Sequence, residues 1–97
     1  MHKDKLKGLI GLAMRAGKLA CGQDAVRVSL KSHSAKLVLA DEASSRGSLE
    51  KLEFECTRAG MSMIVLPEDL LSEASGKLCK AAAITDENFS KQILKLI

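Results

Sequence analysis

Apolar residues recur along the chain at the spacing of helices that bury one face. The first set stands at relative positions i, i+3, i+4 and i+7 and consists of Leu6, Leu9, Ile10 and Ala13. Such a stripe is typical of an amphipathic helix. A second stripe lies between residues 49 and 59, and both stripes end in Arg-Ala-Gly, at residues 15–17 and 58–60. A cation followed by a glycine is a common helix ending, so the pattern predicts a helix before each.

Short apolar runs alternate with these helices, at residues 18–21, 35–40, 61–66 and 81–84. Their length and their polar borders predict buried strands. Further helices are predicted over residues 22–32, over residues 67–76 beginning with Pro67, and after the capping pair Thr85 and Asp86. Because helices and strands alternate with short connections, we expect an α/β fold. The predicted architecture is a three-layer α/β/α sandwich around a mixed, mostly four-stranded sheet, with most strand pairings parallel.

Composition narrows the class of protein. The chain has 97 residues, and we expect one domain over residues 1–97. Phe54 and Phe89 are its only Phe, Trp or Tyr residues, which excludes a row of stacking rings for single-stranded nucleic acid. The net charge of +3 is uneven, because residues 1–39 hold eight basic and two acidic residues and residues 40–97 hold seven and ten. This asymmetry suggests a face for phosphates, with a solvated surface of chance asymmetry as the alternative.

Motifs of enzyme, nucleotide and metal chemistry were sought in the sequence. The Gly-Lys pairs at residues 17–18 and 76–77 lack the upstream glycine and the following Ser or Thr of a phosphate-binding P-loop. The two histidines and three cysteines are not spaced as zinc ligands, and no serine lies in a nucleophile-elbow motif. We therefore expect no enzyme, no cofactor, no metal site and no small-molecule substrate.

Cysteine usage and hydropathy bear on location. Cys21, Cys56 and Cys79 form an odd, widely spaced set without a signal peptide ahead of them. No apolar run reaches the roughly 18 residues that a membrane span needs. We expect a cytoplasmic protein with reduced thiols and no membrane partner.

Residues 6–22 carry the most specific pattern in the chain. Their sequence, LKGLIGLAMRAGKLACG, resembles the opening L-L-G-L-A-x-R-A-G-K-L-x-x-G of the small bacterial YlxQ-type proteins, a branch of the kink-turn-binding ribosomal protein superfamily. The similarity continues through residues 35–40 and 81–89 and covers essentially the whole chain. The resemblance implies an α/β/α sandwich and a small ribosome-associated protein that binds structured, kink-turn-like RNA, such as ribosomal RNA.

The start of the second helix departs from the RNA-binding relatives. Those proteins carry a G-x-N-E-x-x-K segment that enters the kinked RNA. Here Gly22 is retained, whereas Asp24, Ala25 and Val28 stand in place of Asn, Glu and Lys. We therefore expect this chain to have little preference for a standard kink-turn.

The expected RNA contacts come mainly from this helix and from two further loops. One loop resembles the relatives' A-E-D-V turn after the second strand, and the other resembles the relatives' loop before the last strand. The expected contacts are Lys18, Gly22, Gln23, Asp24, Arg27, Lys31, Asp41, Glu42, Gly76, Lys77, Leu78, Cys79 and Lys80. Apolar side chains such as Leu78 would lie against splayed bases, while the lysines beside it would meet phosphates. Solvated helix surface is the alternative for Gln23, Arg27 and Lys31, and packing over the fourth helix is the alternative for Leu78. The alternative function is a protein-interaction adaptor that uses the same face, and in either case we expect a monomer.

Overall fold

Helices and strands alternate throughout residues 2–97, the part of the chain that the computed structural model describes. In chain order they are α1 (Lys3–Arg15), β1 (Leu19–Cys21), α2 (Gln23–Lys31), β2 (Leu37–Asp41), α3 (Arg46–Arg58), β3 (Met63–Leu66), α4 (Leu70–Ser75), β4 (Ala81–Ile84) and α5 (Glu87–Lys95). The predicted α/β alternation is confirmed. No helix within the described range is long and apolar enough to cross a lipid bilayer.

The strands form one mixed sheet in the order β1-β4-β2-β3. β2 and β3 are parallel, with Val38 opposite Met63, whereas β4 runs antiparallel to both of its neighbours, with Ala82 opposite Cys21 and Leu39. The mixed four-stranded sheet is confirmed, but the expectation of mostly parallel pairings is wrong. The short helix α4 and its flanking turns leave the chain at the end of the sheet where β3 finishes, so β4 enters there and runs back.

Successive side chains of each strand point to opposite faces of the sheet, and helices cover both faces. On one face, α1, α4 and α5 bury a core that includes Leu6, Ile10, Leu37, Leu39, Leu71, Ile84 and Ile93. On the other face, α2 and α3 bury Val26, Leu30, Val38, Ala40, Leu52, Cys56 and Ala83. The three-layer sandwich is therefore confirmed.

The fourth helix begins three residues later than the sequence predicts, at Leu70 instead of Pro67. Residues 67–69 form a turn in which the Leu70 amide donates to the Pro67 carbonyl at 3.2 Å and Asp69 takes a left-handed conformation with φ of 67°. The amides of Glu68 and Asp69 donate to the carboxylates of Glu42 and Asp41, at the end of β2. These long-range hydrogen bonds hold the turn out of the helix.

Candidate nucleic-acid interface

Four loop segments meet at one end of the sheet. We call this the loop end and define it as residues 22–24, 41–45, 67–69 and 76–80. The strand register places Cys21 beside Ala82 and Asp41 beside Leu66, so β1, β2 and β3 finish where β4 begins. The Gly22 amide donates to the Ala81 carbonyl at 2.8 Å, and the Asp41 amide donates to the Lys80 carbonyl at 2.9 Å. The structure thus brings together the three regions expected to contact RNA.

Asp41 joins three of these segments, 41–45, 67–69 and 76–80, through a carboxylate that is 0% exposed. Its Oδ1 accepts the Ala43 amide at 2.7 Å, and its Oδ2 accepts the Asp69 amide at 3.1 Å and lies 3.5 Å from Lys80 Nζ. Burial alone would raise the pKa of Asp41, but the two amides and Lys80 outweigh it and hold the pKa below its ordinary value. The side chain is therefore an ionised internal clamp.

Burial corrects two of the expected contacts. Asp41 is enclosed, and Cys79 is only 2% exposed, so neither side chain can meet an RNA base or phosphate in this conformation. Burial and the neighbouring Cys21 thiol raise the pKa of Cys79 to about 12, which keeps its thiol protonated. Glu42 is exposed, but its Oε1 accepts the Glu68 amide at 3.0 Å and so serves the same loop network.

Leu78 is the most exposed large apolar residue of the described chain, at 82%. Its backbone neighbours are fixed on both sides. Ser75 Oγ donates to the Lys77 carbonyl at 3.1 Å, and Ser72 Oγ accepts the Cys79 amide at 2.9 Å and donates to the Cys79 carbonyl. An apolar side chain is thus held outside the core on an ordered loop, between the exposed Lys77 and the half-exposed Lys80.

The two serines that fix this loop are absent from the expected contacts. Ser72 and Ser75 lie in a helical pattern, and a serine that will bond a carbonyl several residues later has no signature in local sequence. The only sequence signal that could have pointed to them is a serine in the last turn of a short helix before a Gly-Lys loop. Gly76 completes the helix end with φ of 77°, a conformation that glycine adopts without strain.

The first turn of α2 faces solvent at the loop end. Gly22 precedes it with φ of 101°, and no side chain caps the helix among the described residues. Gln23 and Asp24 are exposed, and the Asp24 side chain is 97% accessible. Free amides and the positive end of the helix dipole are therefore available to an acceptor group.

Three expected contacts lie away from the loop end. Lys18 is at the opposite end of β1, where its carbonyl accepts the Thr85 amide at 2.9 Å. Arg27 turns toward α3, with its Nε 3.3 Å from Glu55 Oε1. Lys31 is the last residue of α2 and lines the same space between the two helices. The structure separates these cations from the loops instead of grouping them in one site.

No metal site is formed in the part of the chain that the structure describes. Within residues 2–97, no group of three or more His, Cys, Asp or Glu side chains is arranged to hold an ion. The chemistry available at the loop end is therefore that of backbone amides, one exposed apolar side chain, amide and carboxylate groups, and two lysines.

Comparison with known proteins gives the family. RNA-binding protein YlxQ of Enterococcus faecium is 30% identical over 97 residues, which cover 99% of this chain and 94% of that protein. This chain belongs to the YlxQ family. RNA-binding protein YlxQ of Bacillus subtilis (strain 168) is 31% identical over 91 residues, covering 92% of this chain and 91% of that protein. No family model matches the chain.

Solved structures share the fold of this YlxQ-family chain. A protein described as of unknown function from Bacillus halodurans C superposes with a TM-score of 0.89 at 26% identity, over 95% of both chains. The Giardia lamblia 15.5kD RNA binding protein superposes with a TM-score of 0.77 at 15% identity, over 96% of this chain and 84% of that one. At that identity the second likeness concerns the fold alone. The expected family resemblance is confirmed.

Proposed function

We propose that this YlxQ-family protein binds structured RNA through the loop end of the sheet. The observation that carries the proposal is Leu78, an 82% exposed apolar side chain whose loop is fixed by serine hydrogen bonds on both sides. The relatives in Enterococcus faecium and Bacillus subtilis are both named RNA-binding proteins. Ribosomal RNA, with its many internal loops, is the proposed source of the target.

The side chains of the loop end suit unpaired bases. Leu78 would lie flat against a base that has left its helix, since sequence-specific RNA recognition targets splayed bases in loops and bulges. Gln23 offers both a donor and an acceptor to a base edge at the start of α2. The free amides beside it and the ammonium groups of Lys77 and Lys80 would position nearby phosphates.

We also propose that selectivity for a standard kink-turn is low. The exposed face of α2 presents Asp24, whose carboxylate lies 3.6 Å from Arg27, and Val28, which is 64% exposed. An aspartate accepts hydrogen bonds but cannot donate as asparagine does, and valine supplies no cation. With Ala25 between them, this face lacks the polar groups that relatives use to recognise paired guanine and adenine.

Substitution of Leu78 by serine tests the binding surface. Affinity for a structured RNA should fall about five- to thirtyfold, because covering half of the exposed Leu78 side chain with a base contributes about 1–2 kcal/mol. The matched control is Leu94→Ser on α5, where the leucine is 45% exposed and belongs to none of the loop-end segments. Equal affinities of the two variants in a filter-binding or fluorescence titration would contradict the proposal.

The adaptor function remains the second candidate, because an exposed leucine also fits an apolar protein surface. The two candidates differ in salt dependence. Each phosphate neutralised by RNA binding contributes a slope of about −0.7 to −0.9 in log affinity against log salt. A complex with a protein partner that depends on Leu78, and whose affinity barely changes with salt concentration, would favour the adaptor function.

A further inference from the structure

A groove lies between the C-terminal halves of α2 and α3, on the face of the sheet opposite α1. Its volume is about 410 Å³, and its charged lining consists of Arg27, Lys31, His33, Glu55 and Arg58. A smaller adjoining cavity of about 180 Å³ shares His33 and adds Lys36. We call the larger space the α2–α3 groove.

The charge of the groove is positive. Arg27 lies 3.3 Å from Glu55, so the single carboxylate of the lining is already paired. No carboxylate of the described residues forms an ion pair with Lys31 or Arg58. The guanidinium of Arg58, which lines the groove, lies 5.9 Å from the centre of the Phe54 ring, within range of a cation–π contact. Two cations are therefore free to meet an anion.

The loop end has the opposite balance. Its exposed acidic residues are Asp24, Glu42, Glu68 and Asp69, against Lys77 and Lys80. Since phosphate contacts supply most of the salt-dependent attraction between a protein and nucleic acid, this end is suited to bases more than to the backbone. An RNA bound there meets only two lysines, so most of its phosphates need cations elsewhere on the molecule.

His33 adds an observation from backbone geometry. It follows the end of α2 with φ of 62°, and its amide donates to the Leu30 carbonyl at 3.3 Å. Glycine is the usual residue there, because a side chain in the left-handed region costs free energy. Here the residue is a histidine, and it lines both the groove and the adjoining cavity.

We propose that the α2–α3 groove is a second RNA-binding surface, which holds backbone phosphates of a helical arm next to the segment bound at the loop end. The inference rests on the proposed function. Gln23 and Lys31 are the first and last residues of α2, about 12 Å apart at about 1.5 Å per residue. A double-helical arm that leaves the loop end along α2 therefore reaches the groove without distortion of the protein.

Two RNAs and two double variants test this assignment. One RNA contains only an internal loop closed by short stems, and the second carries one stem extended into a long arm. The groove variant is Lys31→Gln with Arg58→Gln, and its matched control is Lys91→Gln with Lys95→Gln on α5, across the sheet. Wild-type protein and the control should show a steeper salt dependence on the extended RNA than on the short RNA.

The groove variant should lose that difference. Removal of two phosphate contacts reduces the steepness of log affinity against log salt by about 1.5. Between 50 and 200 mM salt, the variant should therefore lose about eightfold less affinity than the wild type loses. Identical slopes of the wild-type protein on both RNAs, or identical behaviour of the groove and control variants, would overturn the proposal.

His33→Gly separates binding from folding. The variant relieves the left-handed strain, so its melting temperature should rise, while loss of one hydrogen bond to phosphate should weaken binding of the extended RNA about two- to tenfold. A more stable variant with unchanged affinity for the extended RNA would contradict a role for the imidazole.

The outcomes also separate the groove from the loop end. If Leu78→Ser weakens the binding of both RNAs while the groove variant binds both as the wild type does, the proposed function stands and the proposed second surface is wrong. If the extended RNA binds through the groove and Leu78→Ser has no effect, the groove stands and the loop end is wrong. Competition by poly-glutamate for the groove, with no slope difference between the RNAs, would identify an acidic protein segment as its occupant instead.

Discussion

Replacing Asp41 with asparagine should loosen the loop end, since this one side chain connects three of its segments. The new amide oxygen can keep the 2.7 Å hydrogen bond from Ala43, because Oδ1 is an acceptor in both residues. The new amino group, however, would face the Asp69 amide, which donates to Oδ2 at 3.1 Å. Two donors would then oppose each other at a site that is closed to water.

The size of the effect follows from these contacts. A buried donor left without an acceptor costs about 1–3 kcal/mol, and loss of the pair with half-exposed Lys80 adds at most about 1 kcal/mol. We expect Asp41→Asn to lower the free energy of unfolding by about 2–3 kcal/mol. For a domain of this size, 1 kcal/mol moves the melting temperature by about 4–8 °C, so the melting temperature should fall by about 10–20 °C.

Thermal and urea unfolding of the wild type, Asp41→Asn and a control variant would measure this loss of stability. The matched control is Glu42→Gln, whose side chain is exposed and whose amide oxygen can still accept the Glu68 amide. It should change the free energy of unfolding by less than about 0.5 kcal/mol. Equal stability of the two variants would refute the view that the buried carboxylate of Asp41 holds the loops in place.

Acid provides a second measurement on the same residue. The pKa of Asp41 is lower in the folded protein than its ordinary value, so its ionised form stabilises the fold at neutral pH. That contribution is present above the unfolded pKa and is lost as pH falls through the folded value. The stability difference between wild type and Asp41→Asn should therefore shrink below about pH 4. A difference that stays constant to lower pH would contradict the assignment.

Two further predictions concern α1 and α2. Gly11→Ala should destabilise the protein by about 1 kcal/mol in thermal unfolding, because its Cβ would lie 3.3 Å from a backbone oxygen of α4. In the same helix, the Cβ of Gly8→Ala would meet nothing within 4 Å, and this variant should stabilise the protein by about 0.5–1 kcal/mol. If both variants changed the free energy of unfolding in the same direction, this reasoning would be wrong. The triple change Asp24→Asn, Ala25→Glu and Val28→Lys should raise the affinity ratio between a kink-turn and a mutant without its G·A pairs, measured by titration. A high ratio already in the wild type would show that other groups read the RNA.

The alternation of elements could be predicted because each helix and strand carries its own periodicity. The parallel or antiparallel direction of strand pairing could not be predicted. β4 lies between β1 and β2. Ala82 pairs with Cys21, 61 residues earlier, and with Leu39, 43 residues earlier, and local sequence contains no record of such partners. The start of α4 was misplaced for a similar reason, since Glu68 and Asp69 donate to carboxylates far away in sequence.

The candidate site divides in the same way. Leu78 between lysines could be expected from the family resemblance, and its exposure supports that expectation. The burial of Asp41 and Cys79 could not be predicted, because a polar turn residue and a loop cysteine are enclosed only by the meeting of four segments. His33 and Arg58 were missed since they lie on opposite sides of a groove between helices that are distant in sequence.

One carboxylate of the loop end, that of Asp41, has a structural role that does not oppose the proposed RNA binding. The carboxylate of Asp41 is buried beneath the surface, paired with Lys80 and hydrogen-bonded to two amides, so little of its charge reaches a ligand. In exchange it fixes the segments on either side of the exposed Leu78. Ordering a flexible side chain at an interface costs about 0.5–1.5 kcal/mol, and a loop that is already ordered avoids that cost when it binds. In the proposed complex, the Asp41 carboxylate therefore favours recognition of a base through rigidity, while the basic α2–α3 groove supplies the attraction for phosphates.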